Sequence, residues 1–250
     1  MDVINDIIYT NKKVLKQTIK TVFQSQELFV IGIPYLLIPM IVFQMAGALS
    51  FLAGMIIFAC ISAVISDYLF VIENVLRYEK FSWGAFKIGY KVYFRNVFGT
   101  LFIFYLVDYG ISLFISPILR MIPFGGWLLI LIKFAIVLLI NPLPEVFYQK
   151  KYYEMDSISY AFNFVKKNLI DWFVPNIIMT LIMYLGYKGI FNLIGLVTGS
   201  VNYSIAFAIS IIIAGLFLQV ILGFSLVYRG YLFKILDTST RKKRLFTRHM

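Results

Sequence analysis

Histidine and cysteine are almost missing from this chain, with His249 and Cys60 each the only residue of its kind. One cysteine cannot close an intrachain disulfide, and a lone His249 leaves no Cys/His set for zinc. Histidine-based acid–base catalysis has too few residues to work with. Charge is also scarce, at 14% of residues against about a quarter in soluble domains. Negative charge is scarcer still, with 12 Asp and Glu against 23 Lys and Arg. There is no Gly-x-Ser-x-Gly nucleophile elbow, no His-Glu-x-x-His pair and no Gly-x-x-x-x-Gly-Lys phosphate loop. The expectation is a protein with no enzymatic activity, no cofactor and no metal.

Apolar residues fill the space. Hydrophobic side chains make up 61% of the chain, mean hydropathy is +0.86, and 25 Phe and 17 Tyr bring the aromatic share to 18%. That composition belongs in a bilayer, whose interfaces favour amphipathic rings. Crossing a hydrocarbon core of about 30 Å takes roughly 20 apolar residues in a helix. Six segments of the sequence qualify: Leu28 to Ala46, Leu49 to Leu76, Asn96 to Ser116, Gly126 to Tyr148, Asp171 to Gly195 and Tyr203 to Leu232. The expected fold is an all-α integral membrane protein of six transmembrane helices, one membrane domain over residues 1–250. The first 27 residues lack the short apolar core of a cleaved signal peptide, so insertion through the first hairpin is expected.

The connectors alternate in charge. Lys12, Lys13, Lys16 and Lys20 precede span one; Arg77, Lys80, Lys87, Lys91 and Arg95 separate spans two and three. Lys150, Lys151, Lys166 and Lys167 separate spans four and five, and Arg229, Lys234, Arg241, Lys242, Lys243, Arg244 and Arg248 end the chain. Of the 23 Lys and Arg residues, only Arg120, Lys133 and Lys188 lie elsewhere. The positive-inside rule then puts both termini in the cytoplasm. The net charge of +11 reads as topology, not as a nucleic-acid surface.

Aligning the basic connectors exposes an internal repeat. Ala85-Phe86 matches Ala161-Phe162, Lys91 matches Lys167, and Tyr78-Glu79 matches Tyr153-Glu154 with one residue inserted; Lys20, Val22 and Phe23 make a weaker copy. Each unit is an amphipathic interfacial helix followed by a transmembrane hairpin, over approximately 1–78, 79–153 and 154–240, with a basic tail at 241–250. Trp83, Phe86, Tyr90 and Val97 form the apolar stripe of the middle copy, opposite Lys80, Lys87, Lys91 and Arg95. Ile158, Ala161, Phe162, Val165 and Leu169 form that of the later copy, opposite Asn163, Lys166, Lys167 and Asn168, with Asp156-Ser157 as its N-cap. In the first copy Ile4, Ile7, Ile8, Leu15, Thr18 and Val22 oppose the lysines, and Asp237-Thr238 repeats the cap position after span six. This plan, with Tyr-Glu or Asp-Ser ahead of Ala-Phe and a basic pair, resembles uncharacterised bacterial multi-pass families related to the membrane domain fused to glycerophosphodiester phosphodiesterases. The catalytic domain of those enzymes has no counterpart here. The resemblance implies a membrane domain of the bacterial cytoplasmic (inner) membrane with a lipid-related or platform role.

Ionisable residues inside apolar stretches cost about 2.5 to 3.5 kcal/mol at a helix centre unless paired or wetted. Asp67, Glu73 and Glu145 fall near the basic ends of spans two and four. They form either an acidic vestibule for a cation or proton, or ordinary pairs with nearby Lys and Arg, as the i,i+4 spacing of Glu73 and Arg77 suggests. Asn141-Pro142-Leu143-Pro144 should break or kink span four, because Pro142 and Pro144 remove backbone donors. Such a break either lines an ion site or is a simple interfacial kink. Asp108 and Lys133 reach matching depths when about 1.5 Å per residue is counted from Asn96 and Gly126. They are expected to pair directly or through water, facing the bundle interior. The expected role is a non-enzymatic membrane protein whose basic residues Lys87, Lys91, Arg95, Lys166 and Lys167 engage anionic lipid or a cytoplasmic partner. An export-permease or transporter subunit, docking a separate ATPase through residues 83–95, is the alternative. Immunity against a membrane-active peptide toxin is a further one.

Overall fold

The computed structural model describes residues 2–46, 52–198, 203–239, 241, 243 and 244, and every regular element among them is helical. Hydrocarbon forces this outcome, since a helix is the one open structure that satisfies its own backbone there. In chain order the helices are α1 (Asp2–Gln24), α2 (Glu27–Val30), α3 (Gly32–Ala46), α4 (Ala53–Tyr78), α5 (Trp83–Val92) and α6 (Phe94–Gly110). A π-helical turn (Ile111–Ile115) leads into α7 (Ser116–Arg120), followed by α8 (Gly125–Leu139), α9 (Leu143–Lys150), α10 (Glu154–Thr198) and α11 (Tyr203–Thr238). Among the described residues six stretches are long and apolar enough to cross a bilayer: Glu27–Met45, Ala53–Tyr78, Phe94–Arg120, Gly125–Lys150, Glu154–Gly189 and Gly215–Thr238. The protein is a multi-pass helical membrane protein. The expected start of span two at Leu49, and Lys242, Arg248 and His249 of the tail, lie outside the described residues.

Spans three and four begin within two residues of their expected starts. The later interfacial segment and span five run together as α10, interrupted only at Asn168, whose φ of −125° and ψ of 22° leave helical geometry. Asp156-Ser157 is not the cap of this helix, which starts at Glu154; Ser157 lies inside it and donates to the carbonyl of Tyr152. Asp237-Thr238 lies at the end of α11, with Thr238 Oγ1 donating to the carbonyl of Lys234.

By contacts the chain divides into two compact units, Met1–Met40 with Asn74–Ser82 and Leu169–Met250, and Ile41–Glu73 with Trp83–Asn168. In the first unit α1 packs along α11, and it does so with its polar side. Asp6, Thr10, Val14, Thr18, Thr21 and Ser25 are buried, while Ile4, Ile8, Leu15, Ile19 and Phe23 are exposed. Of the expected apolar stripe only Thr18 and Val22 are buried. The reason is the partner: Tyr231 of α11 shares a hydrogen bond of 2.9 Å with Thr21, and Tyr228 donates to Asn11 Oδ1. On the exposed edge of α1, Lys20 Nζ donates to Glu79 at 2.6 Å. That hydrogen bond, and then the charge of Glu79, raises the Lys20 pKa above the usual lysine value. Farther along, Gln219 Nε2 donates to the carbonyl of Leu28. A Cβ on Gly32 would lie 2.1 Å from Gln219 Cγ, so glycine is what lets this polar contact form.

The second unit joins α4 to α5 and carries the hairpin of spans three and four. Small residues set the approach of α5. Ala85 and Gly89 are its buried positions, and a Cβ on Gly89 would stand 3.1 Å from the Asp67 backbone. Ser66 Oγ donates to the carbonyl of Gly89 and accepts from the N–H of Tyr93. The expected stripe of Trp83 and Tyr90 therefore faces outward, and Val97 alone of its four residues is fully inside. The later segment keeps more of its stripe, burying Ala161 and Val165 together with Ser157 and Phe164, and exposing Phe162 and Leu169.

The hairpin turn explains its two glycines differently. Phe124 takes a left-handed φ of 65°, which brings the chain so close to itself that a Cβ on Gly125 would lie 1.6 Å from the Leu119 carbonyl oxygen. Around Gly126 nothing lies within 4 Å. Gly125→Ala should therefore destabilise the protein by about 3 kcal/mol. Gly126→Ala should leave stability within about 0.5 kcal/mol of wild type. Thermal unfolding in detergent measures both, and equal effects at the two positions would refute this reading of the turn.

Candidate functional site

The basic helices present charge and aromatic rings together. On α5, Lys87 and Lys91 are exposed alongside Trp83, Ile88, Tyr90 and Val92. Lys91 Nζ lies 5.3 Å from the centre of the Tyr90 ring, and on α10 Lys166 Nζ lies 5.3 Å from that of Phe162. Lys167 is exposed beside Lys166. Arg95 is likewise exposed over a ring, that of Tyr153, but also lies 3.8 Å from Glu154.

The three acidic residues near the ends of spans two and four are all buried. Glu73 accepts a hydrogen bond from Tyr93 OH and lies 3.4 Å from Lys151 Nζ. Asp67 backs onto Gly89 of α5. Glu145 is fully enclosed in α9. Among the described residues no three His, Cys, Asp or Glu side chains gather as a metal ion would require. The break between α8 and α9 spans Ile140, Asn141 and Pro142. Turn hydrogen bonds from Asn141 N–H to the Leu138 carbonyl and from Leu143 N–H to the Ile140 carbonyl close it. Pro144 occupies the first turn of α9, where a missing N–H costs little.

Lys133 Nζ and Asp108 Oδ1 stand 2.6 Å apart. They do not face a bundle interior, since their side chains remain 42% and 61% exposed. Each charge is neutralised by the other.

A second ion cluster gave no motif in the sequence. Arg244 donates to Asp6 Oδ2 at 2.9 Å, to Asp171 Oδ2 at 2.8 Å and to the carbonyl of Ser239, while Arg241 donates to Asp171 Oδ1 at 2.6 Å. The side chains of Arg244, Asp6 and Asp171 are 8%, 4% and 7% exposed. Trp172, next to Asp171, meets Phe233 edge to face and carries the Arg229 guanidinium over its ring at 5.1 Å. Beside the cluster lies a cavity of about 290 Å³ lined by Tyr9, Thr10, Lys13, Ile235, Thr238, Ser239, Lys243 and Arg244. The available signal was the sign of Asp6 and Asp171, two acids next to connectors that are mainly basic.

Removing one member of a buried ion network strands the others in a low-dielectric environment. Arg244→Ala should cost about 3 to 5 kcal/mol, because it strands Asp6 and weakens the hold on Asp171. The exposed Lys12→Ala should change stability by less than about 0.5 kcal/mol. Chemical unfolding in mixed micelles would measure the difference, and a loss under 1 kcal/mol for Arg244→Ala would show the network to be incidental. The chain itself matches no protein-family model, no curated protein and no solved structure.

Proposed function

We propose that this protein works without enzymatic chemistry in a bacterial cytoplasmic membrane, holding anionic lipid headgroups against its basic interfacial helices. Both termini and the regions around Lys87 and Lys166 lie in the cytoplasm in this reading, which the charge asymmetry of the connectors supports. The observation that carries it is the outward face of α5, where Lys87 and Lys91 stand among exposed Trp83, Ile88, Tyr90 and Val92. A ring belongs at headgroup level and a lysine reaches phosphate from there. The same pairing recurs at Lys166 and Phe162, in keeping with a repeated unit of interfacial helix plus hairpin. The likeness to the membrane domain fused to glycerophosphodiester phosphodiesterases, on Tyr78-Glu79, Ala85-Phe86 and their later copies, agrees with a lipid-related role.

Each lysine near an anionic surface contributes on the order of 1 kcal/mol. Charge reversal at Lys87 and Lys91 together should therefore lower the anionic lipid retained on purification by roughly tenfold or more. Lipid extracted from purified wild type and variant, quantified by mass spectrometry, provides the measurement. Unchanged retention would reject lipid engagement and favour the docking of a cytoplasmic protein, an export ATPase included, on the same face. Topology has its own check. In a Cys60→Ala background a cysteine at Tyr90 should resist an impermeant thiol reagent applied to intact cells, and labelling there would invert the orientation.

A further inference from the structure

The hairpin of spans three and four carries a polar face that lipid cannot satisfy. Tyr105, Asp108, Tyr109 and Ser112 follow at spacings of three, one and three, which sets them on one side of α6 and of the π turn after it. All four are exposed. Lys133 of α8 joins them through its 2.6 Å contact with Asp108, and the rings of Tyr105 and Tyr109 stack with centroids 6.3 Å apart. At a rise of about 1.5 Å per residue, Asp108 lies roughly 21 Å from Phe94 and roughly 18 Å from Arg120, the two ends of its span. The polar face is thus in mid-membrane. Of the apolar stretch in each of these spans only 11% is buried, so the chain itself does not cover it.

We infer that a second copy of this chain covers this face, packed across a two-fold axis in the bilayer. Polar side chains within spans associate with other helices because hydrocarbon offers them no partner. The charge pattern selects the partner. A face of one sign would call for a different protein of opposite sign, whereas this one carries an anion, a cation and hydroxyls that both donate and accept. Turned through two-fold symmetry, such a face complements itself: Lys133 of each copy meets Asp108 of the other, and four charges alternate around the axis. The inference is independent of the lipid reading, which concerns the basic helices.

The full-length protein, labelled with donor or acceptor dye and reconstituted into phosphatidylcholine vesicles at increasing lipid dilution, tests it by energy transfer. Wild type should follow a monomer–dimer equilibrium. Asp108→Lys alone and Lys133→Glu alone should each weaken the dimer by about tenfold or more, since like charges then meet across the axis. Mixing the two variants, one positive on this face and the other negative, should restore the dimer. A third variant, Tyr105→Phe with Tyr109→Phe and Ser112→Ala, keeps both charges and changes only exposed side chains; it should weaken the dimer by about threefold. Wild type monomeric at every dilution would overturn the inference, as would charge variants that dimerise normally or a mixture no better than its components. If either charge variant fails to insert, unchanged association of the hydroxyl variant would overturn it instead.

Discussion

Hydrocarbon supplies no hydrogen bonds, and side chains that need them must find them in protein or at the interface. The rule that governs soluble cores, apolar inside and polar outside, loses its force when the surroundings are as apolar as leucine. The rule is not kept by α1 either, although it precedes the first span: Asp6, Thr10, Thr18 and Thr21 are buried, and Ile4, Ile8 and Ile19 are exposed. The hydroxyls of Tyr228 and Tyr231 and the guanidinium of Arg244 serve this inward polar side, and the amide of Gln219 serves the Leu28 carbonyl of α2. Glycines at Gly32 and Gly89 keep the backbones close enough for such contacts to form. In this protein polar contacts and small residues, more than matched apolar stripes, decide which helix faces are in contact.

That reversal also explains how the sequence was legible in part. Span number and span positions follow from length and apolarity alone, quantities that do not depend on which face a residue occupies. The breaks at Asn141-Pro142 and at Tyr93 and Asn168 differ in their legibility for a related reason. Proline announces its missing donor, whereas nothing in Tyr93 or Asn168 as residue types marks a change of φ and ψ. Stripe assignments on α1 and α5 failed where they assumed that the apolar side is the packed side. On α5 the packed side is Ala85 and Gly89, whose small size, not whose hydrophobicity, carried the signal.

Charge was legible as a sum and less so as partners. The basic excess of the connectors is visible in any reading of the chain, but Arg241 and Arg244 look like more of the same excess until Asp6 and Asp171 are seen to hold them. Those acids stand 70 and 238 residues away from the arginines they meet, beyond any periodicity that a local pattern reports. Asp108 and Lys133 were within reach because they share a hairpin, where depth can be counted along two adjacent helices. Their exposure could not be counted in that way, since it depends on which way each helix is rotated about its axis.

The separation of 238 residues between Asp6 and Arg244 is also an interval of time. Synthesis at about 5 to 20 residues per second leaves on the order of tens of seconds between the appearance of the acid and that of its base. Through that interval α1 has no Arg244 to turn toward, and Asp6 must stay in contact with water. The packing of α1 on its polar side is therefore completed late. Synthesis of Arg244, 238 residues after Asp6, sets the moment at which α1 can be locked.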